Sequence, residues 1–372
     1  LLAGLGMIFL YRTVISKQLL PAIASAGLFA FGGYIGSHVE QINQLQGLAW
    51  MPIMFALYHR LLTGKTPFRD GLLLAMAWSM QIFSGHTQTV FMTGVGLGIY
   101  GVYIGISQWR EDKQPLKLGR ALILLAICSL IAMILALPQL LPTLELTGMS
   151  NRGGGFNAQQ ATAFSLSPNT IGRALLPSYD SQLFGEYVTY LGVIGLGLAM
   201  WGAVARTSDV QTARTRQVMS LQSKWVWVLI AIIGLALAFG RFNPLYLTLA
   251  ELPGFNLFRV PARWLSLFSL GMAMLAGLGV QNLTIRDVSK IPQDNTLRLN
   301  RFTLFVAIFM GGLIVLTRFV LQVDPRDVYG DATPQDSSVM LWVLSLCVLL
   351  ILLRLRPSRI VPYLIVCCVL VE

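Results

Sequence analysis

Long apolar runs separated by short polar segments extend from one end of the chain to the other. A helix that crosses a bilayer needs about 17–25 mostly apolar residues, and the pattern predicts twelve such spans. They lie at 1–11, 18–36, 44–62, 70–84, 87–107, 118–142, 187–205, 224–240, 263–283, 302–321, 338–353 and 358–371. We therefore expect an all-α fold, a polytopic transmembrane helical bundle of about twelve spans.

Two interruptions of the apolar pattern predict how neighbouring helices connect. Only Ser84-Gly85-His86 separates the fourth span from the fifth, which predicts a tight helical hairpin. Pro138 and Pro142 predict a kink or an end in the sixth span, because proline removes a backbone donor and clashes with the preceding turn. Broken backbone at membrane depth is tolerated where protein or a water-filled cavity satisfies it, so Glu145 is expected to face such a cavity.

The composition supports this architecture and excludes two others. Hydrophobic residues make up 55% of the 372 residues and charged residues 12%, against about 25% charged in soluble domains. Mean hydropathy is +0.67. A disordered chain has the opposite balance, and too few polar side chains remain to cover a soluble enzyme.

The net charge of +11 would suit a nucleic-acid partner, but its distribution indicates membrane topology instead. Twenty of the 27 Lys and Arg residues fall in one set of alternate loops and seven in the other. Cytoplasmic loops carry such an excess of Lys and Arg. We therefore predict a multi-pass membrane protein, with the first residue on the outer side and no nucleic-acid partner.

The chain is expected to be an internal fragment of a longer membrane protein, forming one multispanning domain over residues 1–372. It starts at Leu1 inside an apolar run, and no basic segment precedes that run as in a signal peptide. An outer loop is expected upstream of the first residue and a further outer region after the last. The four cysteines fall in apolar runs without regular spacing, so neither disulfides nor a zinc site are indicated.

Two polar groups lie in the first predicted outer loops. His38 and Glu40 could act as general base or metal ligand, or they could cap the next helix at the interface. His86 and Gln88 stand at the lip of the hairpin, where polar side chains are costly unless they face a cavity or partners. The alternative is that the loop caps the helix ends and His86 lies in the headgroup layer.

Three arginines lie on the predicted outer side, whose loops carry few Lys and Arg residues. Arg259 and Arg263 lie in Phe258-Arg259-Val260-Pro261-Ala262-Arg263, and arginine suits bidentate binding of phosphate. Arg263 also opens a helix, whose N-terminus favours anions; snorkelling to lipid headgroups is the alternative. Arg152 precedes three glycines that could bring backbone N–H groups to an anion, although a flexible turn explains them as well.

Several well-known sequence motifs of enzymes are absent. There is no Walker A motif, no GxSxG and no HExxH, and the predicted spans are nearly free of charge. An ion-coupled transporter usually needs charged groups inside its spans, so that class is disfavoured. A flippase for lipid-linked sugars and an envelope-assembly scaffold remain alternatives to an enzyme.

The outer-side motifs, taken in order, resemble the YfhO-type family of bacterial membrane proteins. They cover nearly the whole chain, and each is weak alone. They are Gly33-Tyr34-Ile35-Gly36-Ser37-His38, Asn43-Gln44-Leu45, Ala49-Trp50-Met51-Pro52, Ser84-Gly85-His86-Thr87-Gln88-Thr89, Leu137-Pro138 through Glu145, Glu186-Tyr187-Val188, Tyr190-Leu191-Gly192 and Phe258-Arg259-Val260-Pro261-Ala262-Arg263.

The resemblance implies a GT-C-like glycosyltransferase of the bacterial cytoplasmic membrane, with its active site on the outer face. Such a protein would move a sugar from a polyprenyl-phosphate donor to a cell-envelope acceptor. Its catalytic carboxylate would lie in the outer loop upstream of Leu1. No cofactor is indicated, and a divalent metal is neither indicated nor excluded. The predicted substrate-binding residues are His38, Glu40, His86, Gln88, Glu145, Arg152, Tyr187, Arg259 and Arg263.

Overall fold

The computed structural model is all-helical over the residues that it describes, with no strand among them. The described residues are 1–112, 116–150, 155–177, 179, 183–204, 223–252, 254–284, 293–320, 336–354 and 360–372. The helices are α1 Leu2–Val14, α2 Leu19–Ala30, α3 Gly33–Ser37, α4 Ile42–Thr63, α5 Pro67–Phe83, α6 Thr87–Asp112, α7 Leu116–Leu135, α8 Leu137–Gly148, α9 Ala158–Ala161, α10 Ile171–Leu175, α11 Gly192–Val204, α12 Ser223–Ala238, α13 Pro244–Leu249, α14 Leu265–Thr284, α15 Gln293–Phe319, α16 Asp336–Arg354 and α17 Val361–Val371.

Each of the twelve predicted spans falls on helix, but fewer than twelve helices have the length and apolarity to cross a membrane. Among the described residues six qualify, or seven if one bent pair counts as a span. Three further apolar helices, α1, most of α12 and α17, are shorter. The structure therefore supports a multi-pass membrane protein, and the count of twelve stays a prediction. The six are Leu19–Ser37, Thr87–Arg110, Gly185–Val204, Pro261–Thr284, Phe302–Phe319 and Asp336–Arg354.

The break predicted from the two prolines lies at Ala136. The helix Gly119–Leu135 bends by 84° into Leu137–Gly148, with Pro138 in the first turn of α8. Proline suits a first turn because its missing N–H would have no intrahelical partner there. The sixth predicted span is thus a bent pair of helices.

The described residues form two compact units, each assembled from three separate stretches of chain. Unit 1 comprises Leu1–Lys17, His38–Ser165 and Leu229–Phe268. Unit 2 comprises Gln18–Ser37, Leu166–Val228 and Ser269–Glu372. The assignment of the whole chain to one multispanning domain stays a prediction.

Helix α4 forms the centre of unit 1 and packs against α1, α5 and α6. Its buried face carries Phe55 and Tyr58, and Tyr58 donates a hydrogen bond to the carbonyl of Ala121 at 2.9 Å. The ring of Phe55 lies edge-on to that of Tyr100 on α6 at 5.7 Å. The polar tip of Tyr58 is therefore satisfied inside an otherwise apolar interface, as burial of a phenol requires.

Helices α11 and α14 approach closely within unit 2, because glycines remove side chains at the crossing. A Cβ at Gly202 would collide with the carbonyl oxygen of Leu275, and one at Gly279 with that of Leu198. Small residues allow such backbone contact between membrane helices. The neighbouring α15 and α16 are joined near one end by an ion pair between Arg318 and Asp336 at 3.2 Å.

Candidate functional site

Three of the residues singled out by sequence meet in unit 1. One guanidinium nitrogen of Arg263, Nη1, donates a hydrogen bond to Oε1 of Gln88 at 2.9 Å. The same nitrogen lies 3.2 Å from Nε2 of His86. Gln88 is buried, whereas His86 and Arg263 are half-buried. We call these three side chains the arginine cluster.

The turn between α5 and α6 places His86 and Gln88. Gly85 has a φ of +78°, in the region that glycine enters without cost. Ser84 closes the end of α5 by donating its hydroxyl to the carbonyl of Gln81 at 2.6 Å. Since α6 begins at Thr87, His86 and Gln88 stand at the start of a candidate membrane span.

Contacts on both ring nitrogens orient the His86 imidazole. The Arg263 guanidinium lies 3.2 Å from Nε2. Thr89 contacts Nδ1 in two ways, through its hydroxyl Oγ1 at 2.6 Å and through its backbone N–H at 3.2 Å.

Arg263 is held by a short 3-10 helix, Pro261–Trp264, directly before α14. The preceding Val260 has φ 68° and ψ 69°, a left-handed conformation that is rare for a β-branched residue. Its carbonyl accepts from Gln88 Nε2 at 3.3 Å and its N–H donates to Ala163 at 3.1 Å. Such backbone costs about 1–3 kcal/mol and clusters at functional sites.

A second left-handed residue faces this segment. Phe164 has a φ of 59°, and its carbonyl accepts from the N–H of Ala262 at 3.4 Å. The segments 163–164 and 260–262 thus hold one another by two backbone hydrogen bonds next to the arginine cluster. Among the described residues other than glycine, Phe164 and Val260 are the two with a positive φ, and both lie here.

Aromatic rings adjoin the arginine cluster. Phe91, one helical turn beyond Gln88, lies 5.0 Å from Phe255 and 5.1 Å from Phe258 between ring centroids. Trp264 stacks on Phe255 at 5.8 Å. We call Phe91, Tyr246, Phe255, Phe258 and Trp264 the aromatic cluster. Its edge-to-face and stacked contacts are the arrangements that aromatic pairs prefer.

Tyr246 supplies the only phenol of the aromatic cluster. Burial raises the pKa of Tyr246, and a side-chain hydrogen bond with Trp264 opposes that rise in pKa. The phenol therefore stays protonated at neutral pH, and this cluster adds hydrogen-bonding capacity without negative charge.

Arg259 adds a second guanidinium beside these clusters. Its side chain is exposed, and it makes neither a hydrogen bond nor an ion pair with any part of the chain that the structure describes. The unit thus presents a positioned arginine at residue 263 and a solvent-facing one four residues earlier. Guanidinium groups suit a phosphate better than a neutral ligand.

The remaining predicted site residues differ in burial and in position. His38 is fully buried and Glu40 is exposed. Glu145 is exposed on α8 and has no hydrogen bond or ion pair from its side chain. Tyr187 belongs to unit 2, where its ring lies 5.2 Å from that of Phe184. Arg152 lies outside the described residues.

The described residues contain no group of three or more His, Cys, Asp or Glu side chains that could hold a metal ion. Sequence reasoning did not single out the aromatic cluster or the strain at Val260. The sequence does contain a signal for the aromatic cluster, because Phe255, Phe258 and Trp264 lie close together in one short segment that contains Gly and Pro. No sequence signal marks Val260, whose conformation depends on tertiary hydrogen bonds.

Comparison of the chain with protein-family models, with curated proteins and with solved structures gives no match.

Proposed function

We propose that the chain belongs to a membrane glycosyltransferase of GT-C type. It would use a polyprenyl-phosphate-linked sugar as donor and a cell-envelope polymer as acceptor, on the outer face of the membrane. The arginine cluster, with Arg259, would bind the donor phosphate. The observation that carries this proposal is the guanidinium of Arg263, held by Gln88 and His86 at the start of a membrane helix.

Preorganisation supports a role in binding an anion. Arg263 loses little further side-chain freedom on binding, since Gln88 and His86 already fix one of its nitrogens. Charge-assisted hydrogen bonds from arginine to phosphate are about twice as strong as neutral ones. The start of α14 adds the favourable end of a helix dipole. A phosphate at this position would therefore meet three sources of stabilisation.

The position along the helices supports a lipid-borne phosphate. Two candidate spans, Thr87–Arg110 and Pro261–Thr284, both begin at the arginine cluster. The cluster therefore lies where a membrane span meets water, the level of lipid headgroups. The aromatic cluster fits that level, because aromatic rings are enriched at membrane interfaces. The distribution of Lys and Arg predicts that this interface is the outer one.

The proposed reaction inverts the configuration of the sugar. The acceptor hydroxyl oxygen attacks the anomeric carbon, a carboxylate takes the hydroxyl proton, and the bond from that carbon to the phosphate oxygen breaks. Arg263 and Arg259 would stabilise the lipid phosphate as its negative charge grows. The carboxylate is expected in the loop upstream of Leu1, and no residue of this chain is assigned that role.

Charge-neutral variants test the phosphate role. We expect Arg263→Gln in the full-length protein to lower sugar transfer about 100-fold, as loss of one preorganised donor does elsewhere. Arg259→Gln should lower it about tenfold, because its side chain is exposed and less constrained. The matched control is Arg241→Gln, an exposed arginine of the same unit that stacks on Phe242. It should leave transfer within about twofold of wild type.

Two outcomes would overturn the proposal. Full transfer by folded Arg263→Gln protein would remove the phosphate role. Movement of lipid-linked sugar across vesicles without an acceptor, together with no transfer to any acceptor, would identify a flippase instead. Thermal unfolding of each purified variant distinguishes the loss of a contact from the loss of the folded state.

A further inference from the structure

A groove in unit 2 has no part in the proposed function. It lies between α15 and α16 and has a volume of about 430 Å³. Its lining is apolar except at Thr303 and Arg354. The full lining is Thr303, Leu304, Ala307, Leu350, Ile351 and Arg354.

A small side chain, Ala307, lines the groove on the α15 side. Leu304 and Ile351 flank the groove and are both exposed. An open apolar channel on two membrane-length helices faces the surroundings of the protein, which in a bilayer are acyl chains.

Charge distinguishes the two ends of this helix pair. Near the end of α15, Arg318 pairs with Asp336 at the start of α16 at 3.2 Å. At the opposite end Arg354 is exposed and makes no hydrogen bond or ion pair with the described chain. Arg354 thus supplies a cation to the lining of the apolar groove. The basic-loop distribution predicts that this end is cytoplasmic.

We propose that the groove binds an anionic phospholipid of the cytoplasmic leaflet. One acyl chain would lie along Ala307 and Leu350, and the lipid phosphate would contact the guanidinium of Arg354. A zwitterionic lipid has the same chains but lacks the net negative charge, so the arginine favours the anionic species. This proposal is independent of the glycosyltransferase proposal, because it concerns other residues of another unit.

Competition between lipids in vesicles tests the charge. Purified full chain in phosphatidylcholine vesicles with increasing phosphatidylglycerol should retain phosphatidylglycerol preferentially, counted by native mass spectrometry. Arg354→Gln should lower that preference about fivefold. Arg110→Gln is the matched control, an exposed arginine in the last turn of α6, and should leave the preference at its wild-type value.

Filling the groove tests the acyl-chain site separately. Ala307→Leu should abolish retention of phosphatidylglycerol, whereas Ala126→Leu, on an exposed face of α7, should not affect it. The proposal is overturned if Arg354→Gln keeps the wild-type preference, or if folded Ala307→Leu retains as much lipid as wild type. Equal retention of phosphatidylcholine and phosphatidylglycerol by the wild type would overturn it as well.

Discussion

Arg263 and Asp70 are charged side chains at the starts of two helices, and the structure holds them differently. Arg263 is half-buried, donates to Gln88 at 2.9 Å and lies 3.2 Å from Nε2 of His86. Asp70 is 1% exposed and is bound by Arg60 at 2.8 Å. The Asp70 carboxylate is therefore already engaged by a cation within unit 1.

Replacing Asp70 by Asn should destabilise unit 1. The Asp70 carboxylate accepts from the Thr66 hydroxyl at 3.0 Å as well as pairing with Arg60. Because Arg60 is 31% exposed, the loss should be about 2 kcal/mol rather than the roughly 3–5 of a fully buried pair. The free energy of unfolding in mixed detergent measures this effect.

The control for that variant is Arg69→Gln. Arg69 is 59% exposed and lies 3.5 Å from Asp70, so its loss should cost less than about 0.5 kcal/mol. Equal destabilisation by both variants would contradict the assignment of the stabilising pair to Arg60.

The sequence singled out candidate binding residues but not the ion pairs of the structure. Arg259 and Arg263 stood out because the positive-inside rule does not explain them on the outer side. Arg60 and Arg69 follow that rule, so nothing in the sequence indicated that Arg60 pairs specifically with Asp70. The partners of a residue depend on which helices adjoin, and hydropathy carries no information on that.

At the scale of elements, the hairpin of α5 and α6 positions two of the three side chains of the arginine cluster. Its turn depends on Gly85, whose φ of +78° places the following His86. An added Cβ at Gly85 would meet nothing within 4 Å. Any cost of a larger residue there is therefore conformational and not steric crowding by neighbours.

Gly85→Ala should lower the free energy of unfolding by about 1 kcal/mol, the cost of a left-handed alanine. Gly98→Ala is the matched control, since Gly98 also faces open space but lies in helical backbone. It should raise stability by roughly 0.5–1 kcal/mol through helix propensity. The same sign for both variants in a detergent unfolding titration would contradict the role assigned to the turn.

Periodicity and turn chemistry predicted most elements. The hairpin at residue 85 and the break before Pro138 were both confirmed, because Gly and Pro act through local backbone sterics. The number of full-length spans was not established, since apolar runs do not reveal where a helix ends. The 3-10 helix Pro261–Trp264 and the conformation of Val260 depend on contacts with residues 163 and 164, far away in sequence.

At the scale of the whole molecule, each unit has its own polar feature at the end of membrane-length helices. Unit 1 carries the arginine cluster, and unit 2 carries the groove that ends at Arg354. The proposed donor site and the proposed lipid site share no residue.

The most direct test of the central claim is photo-crosslinking of the donor lipid. A polyprenyl phosphate with a diazirine on its first isoprene unit would be irradiated with the purified protein, and adducts mapped by mass spectrometry. We predict adducts in residues 86–91 and 255–264, and about tenfold lower yield in Arg263→Gln, a loss of roughly 1.4 kcal/mol in binding. Adducts confined to other segments, or an unchanged yield in Arg263→Gln, would contradict the account.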